Sequence, residues 1–403
     1  MHRSLTGSPG GSWFPMGGNI IGEAAEDLFG IAVELSNDGT VVAISARSND
    51  ANGLNNSGHV RVLKNEGGGA WNQLGTDVDG PFADGGYTSG SLSLSNDGLI
   101  FMVGIPGAST NNLNKNGQAR VYVFDGNNWN QLGQSINGET RNHYSARSVS
   151  ISGDAMFCAV SSIEYNGRTG YVRVFKFTGS SWSQVGNDMI GGAVDERFGA
   201  SMSLSETGGI IAVGAPGNNG PSGNVRVFYF NGFSWIQMGN TVNGGQANAR
   251  FGYSVALSRD GQIFAAGSHN YDGPGTDSGQ IRVFQLDGNN WMQVGSDING
   301  ESGGDKFGRV ISLSDDGCVV ASGSHANHGI NGVGSGNARV FSFDGTGWNQ
   351  LGNDLDGKFA GDMHGIAVSL SGNGKVLAVG AARNDGNGLD SGAVTVYEFV
   401  SAS

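Results

Sequence analysis

The sequence predicts an all-β fold, a seven-bladed β-propeller in which every blade is a four-stranded antiparallel sheet. Three observations lead to this prediction. A tryptophan recurs at spacings of 58, 58, 53, 53, 56 and 57 residues, each copy holds four short β-type runs, and the two ends of the chain carry complementary parts of one copy. A fixed period of this length is typical of architectures that stack one structural unit.

The tryptophans mark the copies, and a glycine follows each of them four residues later. The tryptophans are Trp13, Trp71, Trp129, Trp182, Trp235, Trp291 and Trp348, and the glycines are Gly17, Gly75, Gly133, Gly186, Gly239, Gly295 and Gly352. A large ring at one fixed position in every copy is what packing between neighbouring sheets requires, so we expect core residues. Six of the seven tryptophans also have a glutamine two residues on, which we expect to bond to the backbone.

The copy at 198–239 illustrates the four strands. Its β-type runs are 201–205, 210–213, 225–230 and a fourth that starts at Trp235. The first turn of a copy is tight and has the sequence Ser-Asn-Asp-Gly at 36–39 and 95–98. Asp-Gly between two apolar runs is a strong hairpin signal because glycine adopts a positive φ without a Cβ clash. No helical periodicity competes, so each copy is predicted to be a meander.

The two ends of the chain predict how the ring closes. Residues 12–17 form an unpaired strand of the fourth type, whereas 393–399 form a strand of the third type with no fourth strand after it. Pairing the two would complete the last blade and leave no open sheet edge. We therefore expect one domain at 12–399, after a flexible segment at 1–11 and before a tail at 400–403. The predicted blades are 21–79, 80–137, 138–190, 191–243, 244–299, 300–356, and 357–399 together with 12–20.

The composition of the chain limits the classes of partner that we expect it to bind. The net charge of −13 argues against a nucleic acid or an anionic membrane surface as partner. No stretch approaches the length of a membrane span, and the first eleven residues lack the apolar core of a signal peptide, so we expect no membrane insertion. Cys158 and Cys318 fall three blades apart, so buried free thiols are expected. We expect a monomeric domain or a part of a larger assembly.

Several short motifs resemble those of a known family. The Phe-Gly pairs, the Gly-Ala-Pro triplet and the run Ser-Gly-x-Val-Arg-Val-Phe resemble FG-GAP repeats, the units of the integrin α-subunit propeller. The pairs are at 29–30, 198–199, 251–252 and 307–308, and the triplet is at 214–216. Other copies have Thr88-Ser89, Ser145-Ala146 and His364-Gly365 in place of Phe-Gly. The resemblance implies an extracellular or cell-surface propeller for adhesion, ligand or glycan recognition. Similar propellers occur in a fungal lectin and in a phospholipase, so fold does not fix function.

The calcium site of that family has no counterpart here. It resembles Asp-x-Asp-x-Asp-Gly in the loop between the first two strands, an oxygen-rich set suited to a hard cation. In this chain the same loop is a short turn with one or two carboxylates. We therefore expect no cofactor, with a weakly held calcium in other loops as the alternative.

An arginine recurs on the third strand. The six arginines are Arg61, Arg120, Arg173, Arg226, Arg282 and Arg339, and Thr395 has this place in the seventh copy. A ring of arginines could bind anions. However, blade faces pack on each other, and we expect each arginine to stack on a tryptophan or to pair with a nearby carbonyl or carboxylate.

The candidate ligand-binding residues lie in two sets of long loops, which a four-stranded meander places on one rim. They are Arg47, Asn49, Asp50, His269, Asp272, His325, His328, Asn384, Asp385 and Asp390. Loops 49–55 and 384–390 are near copies that ring closure is expected to place side by side. Their Asn, Asp and Gly residues suit sugar hydroxyls or a weak calcium site, and are equally ordinary turn formers. The histidine pair lacks the clustered ligands of a metal site, so no metal is expected.

Carboxylates in the loops between blades raise the question of catalysis. They recur with the repeat, which favours a structural role, and no nucleophile motif or phosphate loop is present. We expect a non-catalytic recognition or adhesion propeller that binds a glycan or a cell-surface or matrix protein. A structural or assembly subunit and a glycan-active enzyme are the alternatives. The sequon Asn55-Asn56-Ser57 agrees with an extracellular or cell-surface location.

Overall fold

The computed structural model describes residues 10–84, 91–217 and 222–402, and these residues form seven antiparallel sheets in a ring. Within each complete blade, the first four strands are neighbours in chain order, and where a short fifth strand is present it pairs, like the fourth, with the third. The sheets are therefore meanders, and the predicted seven-bladed propeller is confirmed. Thr88 and Ser89 lie outside the described residues.

The strands are short and evenly distributed. The N-terminal pair is β1 Gly11–Pro15 and β2 Ile20–Ile21; blade 1 has β3 Phe29–Leu35, β4 Val41–Ala46, β5 His59–Asn65, β6 Trp71–Gln73 and β7 Val78–Asp79; blade 2 has β8 Leu92–Leu94, β9 Ile100–Ile105, β10 Gln118–Phe124, β11 Trp129–Gln131 and β12 Ile136–Asn137. Blade 3 has β13 Val149–Ile151, β14 Phe157–Ser162, β15 Tyr171–Phe177, β16 Trp182–Gln184 and β17 Met189–Ile190; blade 4 has β18 Ser201–Leu204, β19 Ile210–Ala215, β20 Asn224–Phe230 and β21 Trp235–Asn243.

The remaining blades repeat this order. Blade 5 has β22 Ser254–Leu257, β23 Ile263–Ser268, β24 Gln280–Asp287, β25 Asn290–Gln293 and β26 Ile298–Asn299; blade 6 has β27 Val310–Leu313, β28 Val319–Ser324, β29 Asn337–Phe343, β30 Trp348–Gln350 and β31 Leu355–Asp356; blade 7 has β32 His364–Leu370, β33 Val376–Ala381 and β34 Ala393–Ser401. One helical turn, α1 Tyr165–Arg168, interrupts the pattern, and Asn166 and Gly167 in it have left-handed dihedral angles. None of the described residues belongs to a helix of membrane-spanning length.

The ring closes through the N-terminal strand. β1 pairs antiparallel with β34 in a register that places Trp13 opposite Phe399, and β2 continues this pairing with Ile20 opposite Val394. The last blade thus gains its outer strand from the other end of the chain, as predicted. β34 is therefore paired on both sides, and β1 takes its place as the outer edge strand of blade 7.

The tryptophans link each blade to the one before it. Every indole Nε1 donates a hydrogen bond of 2.7–3.0 Å to the carbonyl oxygen of the residue three positions after the tryptophan of the preceding blade. Trp13, for example, donates to Leu351, and Trp235 donates to Val185. These seven bonds form a closed circuit through the outer strands, and they explain why one tryptophan is present in every copy.

The glycine four residues after each tryptophan makes room for this circuit. A Cβ on Gly186 would lie 2.8 Å from Cδ1 of Trp235, and a Cβ on Gly352 would lie 2.8 Å from Cδ1 of Trp13. Both glycines also have a positive φ, +71° and +78°. Any side chain here would collide with the next blade's indole and strain the backbone. The spacing between tryptophan and glycine is therefore a requirement of blade packing.

The Phe-Gly and Gly-Ala-Pro motifs meet across blade boundaries. Phe29, Phe198, Phe251 and Phe307 are fully buried. The glycine after such a phenylalanine presents its carbonyl to the second strand of the preceding blade. A Cβ on Gly214 would lie 2.0 Å from the oxygen of Gly252, and a Cβ on Gly267 would lie 1.9 Å from that of Gly308. Two halves of the repeat, taken from adjacent blades, thus contact each other directly.

Both sets of long loops lie on one rim, which we call the loop rim. In every blade, the glycine that follows the outer strand donates its N–H to the carbonyl of the glycine that precedes the third strand. The seven bonds run from Gly22 to Gly392, Gly80 to Gly58, Gly138 to Gly117, Gly191 to Gly170, Gly244 to Gly223, Gly300 to Gly279 and Gly357 to Gly336. The short turns between the first and second strands lie on the opposite rim, the turn rim.

The two cysteines are free thiols. Cys158 is fully buried, and burial raises the pKa of its thiol. Cys318, which was expected to be buried, is only half-buried, and its pKa rises to about 11 because of burial and the neighbouring Asp316. Both thiols therefore stay protonated at neutral pH, which makes them poor nucleophiles.

Candidate functional site

The aspartates predicted to bind ligand close their own loops. Asp50 Oδ1 accepts the backbone N–H of Asn56 at 2.7 Å, and Asp385 Oδ1 accepts that of Asp390 at 2.8 Å. Asp272 Oδ1 accepts the backbone N–H of Asp277 at 2.8 Å in the equivalent loop of blade 5. A side chain that replaces a backbone partner in this way rigidifies the loop. These carboxylates thus shape the loop rim.

The two similar loops of blades 1 and 7 are joined through segment 22–28. Asn387 donates to the carbonyl oxygens of Gly22 and Glu23, while Asn49 donates to Asp27 Oδ2 at 3.1 Å. Asn384 makes the bond equivalent to that of Asn49, 3.0 Å to Asp362 Oδ2. Asn49 and Asn384 are buried. The segment therefore bridges loops 49–55 and 384–390, and the asparagines act as braces beneath the rim.

The predicted histidines have three different surroundings. His269 and His325 are buried at equivalent places in blades 5 and 6, and Nδ1 of each has no hydrogen-bond partner among the described residues. His269 packs edge-on against Tyr253, with ring centroids 4.1 Å apart. Burial, assisted by Arg309 and Lys306, lowers the pKa of His269 to about 3 and that of His325 to about 4. His328 is exposed, and its Nδ1 accepts the N–H of Gly334 at 3.4 Å. The first two are neutral at pH 7.

The two remaining candidates are Arg47 and Asp390. Arg47 is exposed on the loop rim. Asp390 is half-buried, and its backbone bonds both to Asp385 and, through its carbonyl, to Leu28. The candidates are therefore distributed around the rim, and the structure does not gather them into one cluster.

The repeated arginines pack between blades, five of them on phenylalanine and Arg173 on Tyr171. Arg226, Arg282 and Arg339 lie over Phe198, Phe251 and Phe307, with 4.2–4.4 Å from the guanidinium carbon to the ring centroid. Most also reach an oxygen: Arg173 bonds to Asp188, Arg226 to Glu196 and Arg282 to the carbonyl of Asn243. Each arginine is thus sandwiched between a ring and an acceptor, and their role is structural. The predicted pairing with a nearby carbonyl or carboxylate is confirmed for these arginines. The alternative, stacking on a tryptophan, was wrong because the tryptophans lie farther out, on the fourth strand.

Among the described residues, one group of three side chains has the spacing of a metal site. Ligand atoms of Glu23, His59 and Asp77 lie within 4.8 Å of one another. However, Arg61 pairs with both carboxylates, at 3.1 Å to Asp77 and in close contact with Glu23. A guanidinium already supplies the positive charge here, so this group does not fit a cation.

The turn rim is closed by a ring of backbone hydrogen bonds. In the turn between the first and second strands, the backbone N–H of the second residue donates to the backbone carbonyl of the equivalent residue in another blade. Blade 3 differs in that the carbonyl of Gly153 accepts and the N–H of Asp154 donates. The bonds run from Asn37 to Asn96, Asn96 to Gly153, Asp154 to Glu206, Glu206 to Arg259, Arg259 to Asp315, Asp315 to Gly372 and Gly372 to Asn37, at 2.7–3.1 Å. The seven turns therefore converge on the axis of the propeller.

Five side chains fill the space inside this ring, and we call them the plug. Asn37 donates to Asp315 at 2.8 Å, Arg259 pairs with Glu206 at 3.0 Å and with Asp315 at 3.5 Å, and Asn96 donates to Glu206. Gly153 and Gly372 leave room for them, since a Cβ on either would lie within 2.6 Å of plug atoms. The plug obstructs the turn-rim end of the axis with a connected polar network.

A cavity of about 980 Å³ occupies the axis between the plug and the loop rim. First strands from all seven blades line it, through residues such as Val33, Leu92, Ile151 and Ser203. Several first-strand serines donate or accept bonds between blades: Ser150 Oγ accepts the N–H of Leu204 at 3.0 Å, and Ser203 Oγ that of Leu257 at 3.1 Å. The cavity is thus a rigid well that opens at the loop rim.

One carboxyl group lies deep in this well. Glu34 has the position that serine has in five other blades, namely Ser93, Ser150, Ser203, Ser312 and Ser369. Ser369 Oγ lies 3.4 Å from Glu34 Oε2. Burial raises the pKa of Glu34 to about 8. This carboxyl is therefore mostly protonated at neutral pH and can donate a hydrogen bond.

Four arginines line one side of the mouth of the well. Arg147, Arg197, Arg250 and Arg309, from the region of blades 3 to 6, line the cavity where it meets the loop rim. On the side of blades 7 and 1 the lining at this level is apolar, with Ile31 and Ile366. Ile31, Arg147 and Ile366 occupy the position directly after the Phe-Gly pair. The mouth is therefore basic on one side and apolar on the other.

Sequence reasoning missed this well, although two signals were present. The position after Phe-Gly differs from copy to copy, with Ile31, Arg147, Ala200, Tyr253, Arg309 and Ile366. Glu34 breaks a row of serines. Aligning the copies position by position would have shown that inner-strand residues vary as much as loop residues do. Variation inside the first strand indicates a cavity wall of differing chemistry.

Comparison with protein-family models matches one part of the chain. Residues 356–397, which cover the end of β31 and nearly all of blade 7, match the family model described as FG-GAP repeat. No curated protein matches the chain. The matched repeat and the seven-bladed ring agree with each other, and together they support an FG-GAP β-propeller.

Proposed function

We propose that this FG-GAP β-propeller is a non-catalytic recognition module that binds a glycan or protein ligand on its loop rim. The observation that carries the proposal is the contrast between the two rims. The turn rim is closed by seven short turns and the plug. The loop rim presents long loops that differ between blades and are held by backbone and carboxylate bonds. Rigid, variable loops on a repeated scaffold are the usual setting for binding residues.

The carboxylates in the loops between blades favour a binding role over a catalytic one. In the loops between blades, Asp27, Glu196, Asp305 and Asp362 are buried, and several bond to backbone N–H groups of their own loop. Carboxylates that are used in this way brace the rim. We further propose that the protein acts outside the cell or at its surface, as the exposed Asn55 of the glycosylation sequon would allow.

A glycan array and a pull-down, each run with and without calcium, test the recognition role. The choice of the loop rim as the binding face is tested by attaching a bulky maleimide to a single introduced cysteine in a Cys318→Ser background. Leu389→Cys places the label on the loop rim, where Leu389 is 63% exposed. Asn127→Cys places it on an exposed turn at the opposite rim.

We expect the label at position 389 to abolish binding and the label at position 127 to leave it intact. Inhibition by the label at 127 alone would contradict the choice of face. Absence of any glycan or protein ligand in both calcium conditions would contradict the recognition role itself.

An assembly role is the second candidate, and exposed apolar side chains on the loop rim favour it. Ile330 and Val333 are 86% and 70% exposed, and Phe359 nearby is 65% exposed. The N–H of Gly361 bonds to the carbonyl of Val333, so these side chains lie on neighbouring loops. Apolar groups of this size on a rim are typical of protein interfaces. A single tight protein partner in the pull-down, with a blank glycan array, would favour this candidate.

A further inference from the structure

The four arginines at the mouth of the central well are not neutralised. Within the described residues, none of Arg147, Arg197, Arg250 and Arg309 has a carboxylate oxygen within 4.0 Å. Six other arginines do: Arg61, Arg168, Arg173, Arg226, Arg259 and Arg339. In a chain with a net charge of −13, carboxylates are in excess. Unpaired arginines gathered at one opening therefore indicate a place for an external anion.

The lowered pKa values of two neighbouring histidines also indicate a positive potential at the mouth. Arg309, Lys306 and Arg250 all act to lower the pKa of His269, and Arg309 and Lys306 do so for His325. One carboxylate, Asp195, also lines the well, but it pairs with Arg168 at 2.8 Å. Glu34 at depth is mostly neutral. The charge at the mouth is thus predominantly positive.

The wall of the well suits a ligand rich in hydroxyl groups. Ser201 Oγ donates to the carbonyl of Gly252 at 2.9 Å, and Ser254 Oγ donates to that of Gly308 at 2.7 Å. Each hydroxyl oxygen keeps lone pairs that can accept from a ligand. Tyr253 lies at the mouth with its ring held between His269 and Arg309. Polar acceptors along the wall, a fixed aromatic ring and a protonated carboxyl at depth match a sugar better than an apolar molecule.

We propose that the central well binds an acidic saccharide, whose carboxylate or sulfate group is held by Arg147, Arg197, Arg250 and Arg309. The planar guanidinium can donate two parallel hydrogen bonds to either oxyanion. The volume of about 980 Å³ is at the upper end of ordinary ligand sites and accommodates more than one sugar ring. This inference rests on the proposed recognition role, since the well opens on the loop rim.

Calorimetric titration with matched oligosaccharides tests it. The probes are a uronic-acid oligosaccharide, a sulfated oligosaccharide and their neutral counterparts of equal length, with inorganic sulfate as a fourth probe. The test variant carries Arg147→Gln and Arg250→Gln, because both side chains are exposed. The control carries Arg141→Gln and Arg383→Gln, which make the same charge change at exposed positions outside the lining of the well.

We expect the acidic oligosaccharide to bind, and the test variant to weaken its binding by at least about tenfold, which is the size expected for loss of one charge-assisted hydrogen bond. The control should change the affinity by less than about threefold. Equal melting temperatures of the two variants would show that both fold. The uronic-acid and sulfated probes identify which oxyanion is preferred.

Three results would overturn the inference. These are a neutral oligosaccharide that binds as tightly as its acidic counterpart, equal losses in the test and control variants, and inorganic sulfate that binds as tightly as the sulfated saccharide. In each case binding of another ligand, blocked by the label at position 389, would leave the recognition role standing. If the chain binds no glycan and no protein, both this inference and the proposed recognition role are contradicted.

Discussion

The indole Nε1 of Trp13 donates a 2.7 Å hydrogen bond to the carbonyl oxygen of Leu351, which lies 338 residues later in the chain. The same bond recurs between every other pair of neighbouring blades, but there it joins residues 50–55 positions apart. The closing contact is thus chemically identical to the six local ones. Its cost in chain entropy is larger, because it closes the longest loop of the fold.

Replacing Trp13 tests this closure. Trp13→Phe leaves the Leu351 carbonyl without its buried donor, and we expect the free energy of unfolding to fall by about 1–3 kcal/mol. Trp13→Ala also removes most of a buried side chain and should cost about 3–5 kcal/mol. Urea denaturation measures both. Phe14→Ala, on the same strand but 54% exposed, is the control, and a comparable loss there would mean that strand pairing and not the indole closes the ring.

The glycine that follows each tryptophan gives a second prediction. Gly186→Ala would put a methyl group 2.8 Å from Trp235 Cδ1 at φ +71°, whereas Gly179→Ala would meet open space at φ +94°. Both substitutions strain the backbone by about 1 kcal/mol, but only the first also displaces an indole, at about 1–3 kcal/mol more. Thermal unfolding of the pair should separate these costs. Equal losses would show that backbone strain alone selects the glycine.

Glu34 should make stability fall as pH rises. Its pKa in the folded protein is about 8, above the ordinary value of 4.5, so the folded state binds more protons than the unfolded state between these pH values. Stability from this group is fully present below pH 4.5 and is lost as pH rises through about 8, by up to about 5 kcal/mol.

Glu34→Gln should remove that dependence, because glutamine imitates the protonated carboxyl. Relative to the wild type, we expect the variant to gain stability between pH 6 and pH 9 in urea titrations. The exposed Glu66→Gln is the control and should leave the pH profile unchanged. A Glu34→Gln profile that stays parallel to the wild type would contradict the raised pKa.

His364 should have the opposite effect in acid. Burial lowers its pKa to about 4, below the ordinary 6.5, so the unfolded state binds more protons between these values. Stability from this group is therefore lost as pH falls from about 6.5 towards 4, by up to about 3 kcal/mol. His364→Phe restores the residue found in four other blades and should flatten this part of the profile. The exposed His328→Gln should not; if it flattened the profile equally, buried His364 would not be the cause.

The periodic features of the fold could be predicted from the sequence because they recur from copy to copy. Tryptophan spacing, Asp-Gly turns and the strand order at the two ends were enough for the number of blades and for the pairing of β1 with β34. The period does not show which non-repeated residues of different copies are brought together by the ring. Gly153 and Gly372 are ordinary turn residues in sequence, and only the ring brings them beside the plug.

The same limitation applies to the candidate site. Asp50 and Asp385 stand in conspicuous loops, yet their carboxylates accept backbone N–H groups a few residues away. Arg147 and Arg250 lie more than one hundred residues apart in the chain and share one opening only because the first strands of different blades surround a common axis. Local motifs therefore predicted where the loops lie, but they did not predict the cavity at the axis.

The plug has a consequence for long polymers. With one end of the axis obstructed by Arg259 and its neighbours, a chain molecule cannot be threaded through the ring; it can only be capped at a terminus. The number of propellers that a polymer could carry in its wells would then depend on how many ends it has and not on its length. Fragmenting such a polymer would multiply the docking points without adding mass.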